Sequence, residues 1–276
     1  MRTLVHLSDL HFGRVDQALL APLREAVTAA RPDLVVVSGD LTQGARNSQF
    51  RAAAAWLATL PRPQLVVPGN HDVPLYDVVR RFVAPLARFR RYIEDEEFPY
   101  YEDGEIAAIA INTARSLTFK GGRINQAQVD EVARRFHGLP EAVTRILVSH
   151  HPFDLPEGAE ASDLVGRAQM AMQAFAGCGV DLFLSGHLHF THSGNTARRY
   201  AIDGFAALVI QAGTAASTRG RGEANAFNVI RIGTTEMALE TMAWTPAAGR
   251  FAAGPRQVFE YVHGQGWRPA QPRRQC

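Results

Sequence analysis

Five short polar clusters punctuate the chain, each straight after an apolar run. They are Asp9-Leu10-His11, Gly39-Asp40, Gly69-Asn70-His71-Asp72, His150-His151-Pro152 and Gly186-His187-Leu188-His189. Six of the ten histidines fall in them. Imidazoles and carboxylates gathered with one amide oxygen are the donor set of a transition-metal site. Asp9, His11, Asp40, Asn70, His71, His150, His151, His187 and His189 are too many ligands for one tetrahedral ion. They suffice for two ions if one carboxylate bridges them. Dinuclear sites hold their ions about 3.5–4 Å apart and clamp both ends of a displacement at phosphorus.

Residues so far apart in sequence act together only if the fold gathers them. Residues 3–8, 34–39 and 64–69 read as strands, separated by helical spacing at Leu19, Leu23 and Val27 and at Phe50, Ala54 and Leu57. This βαβαβ opening predicts a parallel sheet covered by helices. Further on, residues 76–93 read as helical with a break at Pro85. Asp103-Gly104 marks a hairpin, and Asn125 with Gln128 opens a helix through Phe136. Residues 145–151 and 180–187 read as buried strands flanking a helix through Met170 and Phe175. A second hairpin is expected at Asp203-Gly204, then three strands of a mostly antiparallel sheet. Carboxyl ends of parallel strands meet along one rim, where open α/β proteins bind ligands. The five clusters therefore converge.

D-x-H, G-D, G-N-H-D, H-H-P and G-H-x-H, in that order, resemble the calcineurin-like metallophosphoesterase superfamily over residues 3 to about 192. The likeness is greatest to the bacterial class III cyclic-nucleotide phosphodiesterases. The resemblance implies an α/β fold, α+β in part: a four-layer αββα sandwich of two mixed sheets flanked by helices, with a dinuclear metal site at the strand C-terminal rim. Asp9, His11 and His189 would bind one metal, Asn70, His150 and His187 the other, and Asp40 would bridge. His71 would face the phosphate as a donor, most useful when protonated because a diester has a poor leaving group. The cofactors implied are two divalent transition-metal ions, Mn, Fe, Zn or Co, which activate a shared water for attack on phosphorus.

The expected activity is hydrolysis of cyclic nucleotides or other small phosphodiesters. A pyrophosphatase of nucleotide-linked lipid precursors is an alternative, but such relatives usually carry Arg where His71 stands and add an apolar lid, which the sequence does not suggest. A DNA nuclease would be longer. A non-catalytic scaffold tends to lose ligands, and every matched ligand position is filled.

Other residues are candidates for substrate contact. His151 alternates away from His150 along the strand, yet lies beside it. His192 sits just past the last motif. Arg115, and Arg219 and Arg221 on a Gly-rich loop, offer guanidinium groups suited to phosphate. Asn70 supplies a neutral oxygen, which limits the negative charge facing an anionic substrate. His6 reads as packed behind the site.

Composition narrows the classes further. The 276 residues are 46% hydrophobic with a net charge of +2, so a large core is available and no nucleic-acid surface stands out. Acidic Glu94–Glu97 follow the Arg-rich helix and balance it. No run approaches the roughly 20 apolar residues of a membrane span. Two cysteines without a framework pattern suit a reducing cytoplasm. One metallophosphoesterase domain is expected over residues 1–263, with a frayed tail over 264–276 and room for a homo-oligomer.

Overall fold

The computed structural model describes residues 1–118, 120–219 and 222–270. The chain opens with β1 (Arg2–Leu7), α1 (Gln17–Ala29), β2 (Leu34–Val37), α2 (Asn47–Leu57) and β3 (Gln64–Val66). The three strands pair in parallel, as their apolar runs and intervening helices require. Two short helices follow, α3 (Val78–Val83) and α4 (Ala87–Tyr92), on either side of Pro85.

A second sheet then forms from β4 (Tyr100–Glu102), β5 (Ile106–Ala110), β6 (Thr144–Val148), β7 (Leu182–Ser185), β8 (His192–Asn195) and β9 (Leu208–Gln211), in the order β4-β5-β6-β7-β9-β8. Its crossover helices are α5 (Gln126–Phe136) and α6 (Ala168–Gly177). The Asn125 side chain accepts from the Gln128 backbone N–H at 2.9 Å and the Gln128 side chain accepts from Asn125 N–H at 3.1 Å, which fixes the start of α5.

The last four strands, β10 (Ala226–Ile232), β11 (Glu236–Thr245), β12 (Arg250–Val262) and β13 (Gly266–Pro269), do not make a third sheet. They join β1 edge-on and complete a seven-stranded sheet, β13-β12-β11-β10-β1-β2-β3.

The two sheets face each other across an apolar seam that includes Leu4, Val36, Ile146, Leu184 and Ile210. Outside one sheet lie α1 and α2, packed through Leu23, Val27 and Phe50. Outside the other lie α5 and α6, packed through Val132, Phe136 and Phe175. The result is the expected αββα sandwich. Strand residues buried on both faces explain why the central runs are continuously apolar rather than alternating.

Two expectations fail. Asp203-Gly204 does make a tight turn, closed by Phe205 N–H donating to Ile202 C=O at 3.2 Å, but no hairpin. The antiparallel partner of β9 is β8, the strand before it, and residues 196–207 join the two. The intervening loop is held by Thr196, whose hydroxyl accepts from Ala207 N–H at 3.1 Å. The fray expected from Gly264 also does not begin there: residues 266–269 pair with β12, and the Trp267 indole, buried in the inter-sheet seam, donates to Asp181. No helix among the described residues is long and apolar enough to cross a membrane.

Candidate dinuclear metal centre

β1, β2, β3, β6 and β7 all end on one rim, and the five polar clusters occupy their carboxyl ends. The turns there are tight. Asp9, His11, Asp40, His187 and His189 all have φ between 49° and 74°, the left-handed region that non-glycine residues seldom enter. Five such residues on one rim are strain concentrated where side chains must point inward. Glycines supply the remaining room: a Cβ on Gly69 would lie 2.1 Å from Asp40 Oδ1.

Four donors form one group. Atoms of Asp9, His11, Asp40 and His189 lie within 4.8 Å of one another, all buried. His11 Nε2 is 3.5 Å from Asp9 Oδ1 and 3.7 Å from Asp40 Oδ2, and His189 Nε2 is 3.5 Å from Asp9 Oδ1. Asp9 Oδ2 accepts from the Ser8 hydroxyl and from His187 N–H, whereas Asp9 Oδ1 and both ring nitrogens of His11 are buried without a hydrogen-bond partner among the described residues. Buried polar atoms are rarely orphaned, and orphans converging on a point are the environment a cation completes. His189 is braced through Nδ1, 2.8 Å from the Thr214 hydroxyl, which leaves Nε2 facing the group.

The second group lies on the other side of Asp40. His150 Nε2 stands 3.5 Å from Asp40 Oδ2 and 3.1 Å from Asn70 Oδ1. His150 Nδ1 lies 2.8 Å from Ser38 C=O, so it carries the proton and Nε2 is the lone-pair nitrogen. The His187 ring packs 5.2 Å from that of His150, and burial above all pushes His187 down to about 3. Neutral imidazole is the form that ligates metal. Asp40 is thus common to both groups. Its Oδ2 lies between His11 and His150, while Oδ1 accepts from His71 N–H at 2.8 Å. The chemistry and placement of these donors fit two divalent cations.

Asp72 fastens the loop. Its carboxylate accepts from the backbone N–H groups of Leu41, Thr42 and Gly69 and from the Thr42 hydroxyl, all at 2.8–3.0 Å. It ties the end of β3 to the end of β2 and leaves His71 to face outward. Arg219 donates to His71 Nε2 at 2.8 Å. Guanidinium only donates, so Nε2 accepts, and the ring proton sits on Nδ1, 3.0 Å from Gln43 C=O. Burial foremost lowers the pKa of His71. The protonated donor expected from the sequence is therefore a neutral imidazole here.

The remaining candidates scatter. His151 is fully buried, and both nitrogens are used, Nδ1 by the Thr113 hydroxyl at 2.8 Å and Nε2 by Lys120 C=O at 2.7 Å. It lies beside His150 and His187, one ring atom of each within 4.8 Å of the others. Arg115 turns to Gln128 Oε1 and two backbone carbonyls. His192 lines a groove with Leu155, Arg198 and Arg199. Arg221 lies outside the described residues. His6 is packed behind the rim, Nε2 against Ser38 Oγ at 2.9 Å.

Sequence reading missed Gln43, Thr214 and Asp163, whose Oδ1 is 3.8 Å from His187 Nε2. Thr214 follows an apolar strand, the same signal that marked the clusters. Asp163 sits in a loop that gives no such signal.

Comparison with known proteins agrees with this geometry. A family model described as calcineurin-like phosphoesterase matches residues 2–190. The chain is 24% identical over 204 residues to a 3',5'-cyclic adenosine monophosphate phosphodiesterase, CpdA, of Escherichia coli, covering 67% of this chain and 69% of that one. It is 36% identical over 85 residues to a glycerophosphodiester phosphodiesterase, GpdQ, of Enterobacter lignolyticus, covering 25% and 29%. Among solved structures, the purple acid phosphatase PPD1 of yellow lupin superposes with a TM-score of 0.63 at 12% identity, covering 91% of this chain. The chain spans 52% of that larger protein, and the likeness is one of fold.

Proposed function

From the premise that the chain belongs to the calcineurin-like phosphoesterase family, we propose that it is a dinuclear-metal-dependent hydrolase of small phosphodiesters, cyclic nucleotides or glycerophosphodiesters. The observation that carries this reading is Asp40 Oδ2, set 3.7 Å from His11 Nε2 and 3.5 Å from His150 Nε2. One carboxylate oxygen serves two groups of donors. Asp9, His11 and His189 would hold one ion, Asn70, His150 and His187 the other, and Asp40 would belong to both. Two such ions, when bound, supply an acidified water and Lewis acidity at the phosphoryl group.

The chain's residues do the positioning. His71 N–H holds Asp40 Oδ1, which fixes the carboxylate that the two groups of donors share. Ser38 C=O and Thr214 Oγ1 fix the rings of His150 and His189 with Nε2 inward. Asn70 contributes oxygen without charge, which suits an anionic diester. The two names among the relatives, a cyclic-nucleotide and a glycerophosphodiester phosphodiesterase, support the diester class.

The test is a hydrolysis panel with Mn²⁺-loaded protein: 3',5'-cyclic AMP, 2',3'-cyclic AMP, glycerophosphoethanolamine, bis(p-nitrophenyl) phosphate and p-nitrophenyl phosphate. The expected result is turnover of diesters well above the monoester, abolished by chelation. Absence of metal-dependent turnover on every diester would remove the proposal.

A further inference from the structure

The Arg219 side chain stands over the metal centre with no acid to answer it. Among the described residues its one hydrogen bond is the 2.8 Å contact to His71 Nε2, and it has no carboxylate partner. It is half-buried. A cation placed among groups that already await cations raises the cost of the empty site. Such an arrangement is sensible if an anion arrives between them.

The loop that carries it is built to hold the backbone and leave the side chain a choice. Thr218 N–H donates to Arg14 C=O at 3.0 Å, and Val15 and Ser217 form a β-bridge. Ser217 Oγ then accepts from Arg219 N–H at 3.1 Å. The base of the loop is thereby pinned to the turn that follows Asp9 and His11. The side chain beyond it has one donor committed and four N–H groups in reserve. His71 is equally well fixed, its Nδ1–H lying 3.0 Å from Gln43 C=O, so its Nε2 presents a stationary lone pair.

We propose that Arg219 is a movable phosphate clamp, which rests on His71 Nε2 when the site is free of substrate and transfers to a non-bridging phosphoryl oxygen when the diester binds. His71 is then the resting perch and positioning residue for the guanidinium. A forked guanidinium matches two oxygens of a phosphate better than an ammonium does. The inference deepens the phosphodiesterase reading and rests on it for the identity of the anion, but not for the binding of one.

The test uses the full-length, Mn²⁺-loaded protein and the variants Arg219→Ala and Arg219→Lys. On bis(p-nitrophenyl) phosphate, Arg219→Ala should lose about 100-fold in kcat/KM, the size of losing one preorganised charged donor, with most of the loss in KM. Added guanidinium chloride should restore part of it, and Arg219→Lys should recover only partly. Melting temperature and metal content should not change. A kcat/KM within twofold of the parent, or a loss accompanied by metal release and immune to guanidinium, would overturn the clamp. A second arm separates this from failure of the phosphodiesterase reading: calorimetric titration with inorganic phosphate. Phosphate binding weakened about tenfold or more in Arg219→Ala supports the clamp even if no diester is cut. Equal phosphate affinity in parent and variant rejects it.

Discussion

The two halves of the candidate metal centre meet at Asp40 but are built differently. The half formed by Asp9, His11 and His189 contains a carboxylate of its own and three buried atoms with no hydrogen-bond partner among the described residues, Asp9 Oδ1 and both nitrogens of His11. Burial pushes the Asp9 carboxyl up, but the nearness of the His11 and His189 rings prevails and holds it well below the usual range. The half formed by Asn70, His150 and His187 has only neutral donors of its own, and two of them already touch, Asn70 Oδ1 and His150 Nε2 at 3.1 Å. The first half gains a charge-compensating partner when a cation arrives. The second offers no charge beyond the shared Asp40. Affinity should therefore be unequal: tight at the first, weaker and more exchangeable at the second.

The largest break in this comparison is Asp40→Asn, because Asp40 is the one group common to both halves. Both ions should weaken, and diester turnover should fall by more than the roughly 10–100-fold that loss of a supporting residue costs. Metal analysis after gel filtration reads the first effect and steady-state assays the second. Retention of both ions at parental affinity would show that Asp40 does not bridge.

Asn70→Asp sharpens the contrast from the other side. It adds the charge the second half lacks, so affinity there should rise by about tenfold or more, the scale of a single close charge pair near a protein surface. Diester turnover should fall, because the new carboxylate faces an anionic substrate. Equal metal affinity in parent and variant would mean that charge does not set the difference between the halves.

The smallest effect is expected from Thr214→Val, which keeps the shape and removes the hydroxyl that braces His189 Nδ1. Metal affinity at the first half should drop by about 10–100-fold with the second unchanged, within the range of lost partners behind ligands. Isothermal titration of the metal-free variant checks it, and a loss at the second half instead would reassign His189.

What the sequence reveals and what it hides follow the same division between strand and loop. Asp9, His11, Asp40, Asn70, His150, His187 and His189 are legible because each follows a buried apolar strand, and parallel strands bring their ends to one rim whatever else the chain does. The αββα layering is legible for the same reason. Arg115, His151 and His192 illustrate the opposite case. Their residue types suit a phosphate site, but where a side chain outside the ligand positions points depends on closure against distant partners. Arg115 is taken by Gln128, His151 by Thr113 and Lys120, and His192 by a neighbouring groove. Strand β8 was hidden because His192–Asn195 has no apolar alternation, and its pairing with β9 comes from the long return of residues 196–207. The contact of His71 Nε2 with Arg219 was hidden because the two lie 148 residues apart.

The most direct test of the central claim is a calorimetric titration of metal-free protein with Mn²⁺, with diester turnover measured at each point. The account predicts two binding events of unequal affinity and turnover that appears only as the second, weaker site fills. A single bound ion, or full turnover at one equivalent, would contradict it.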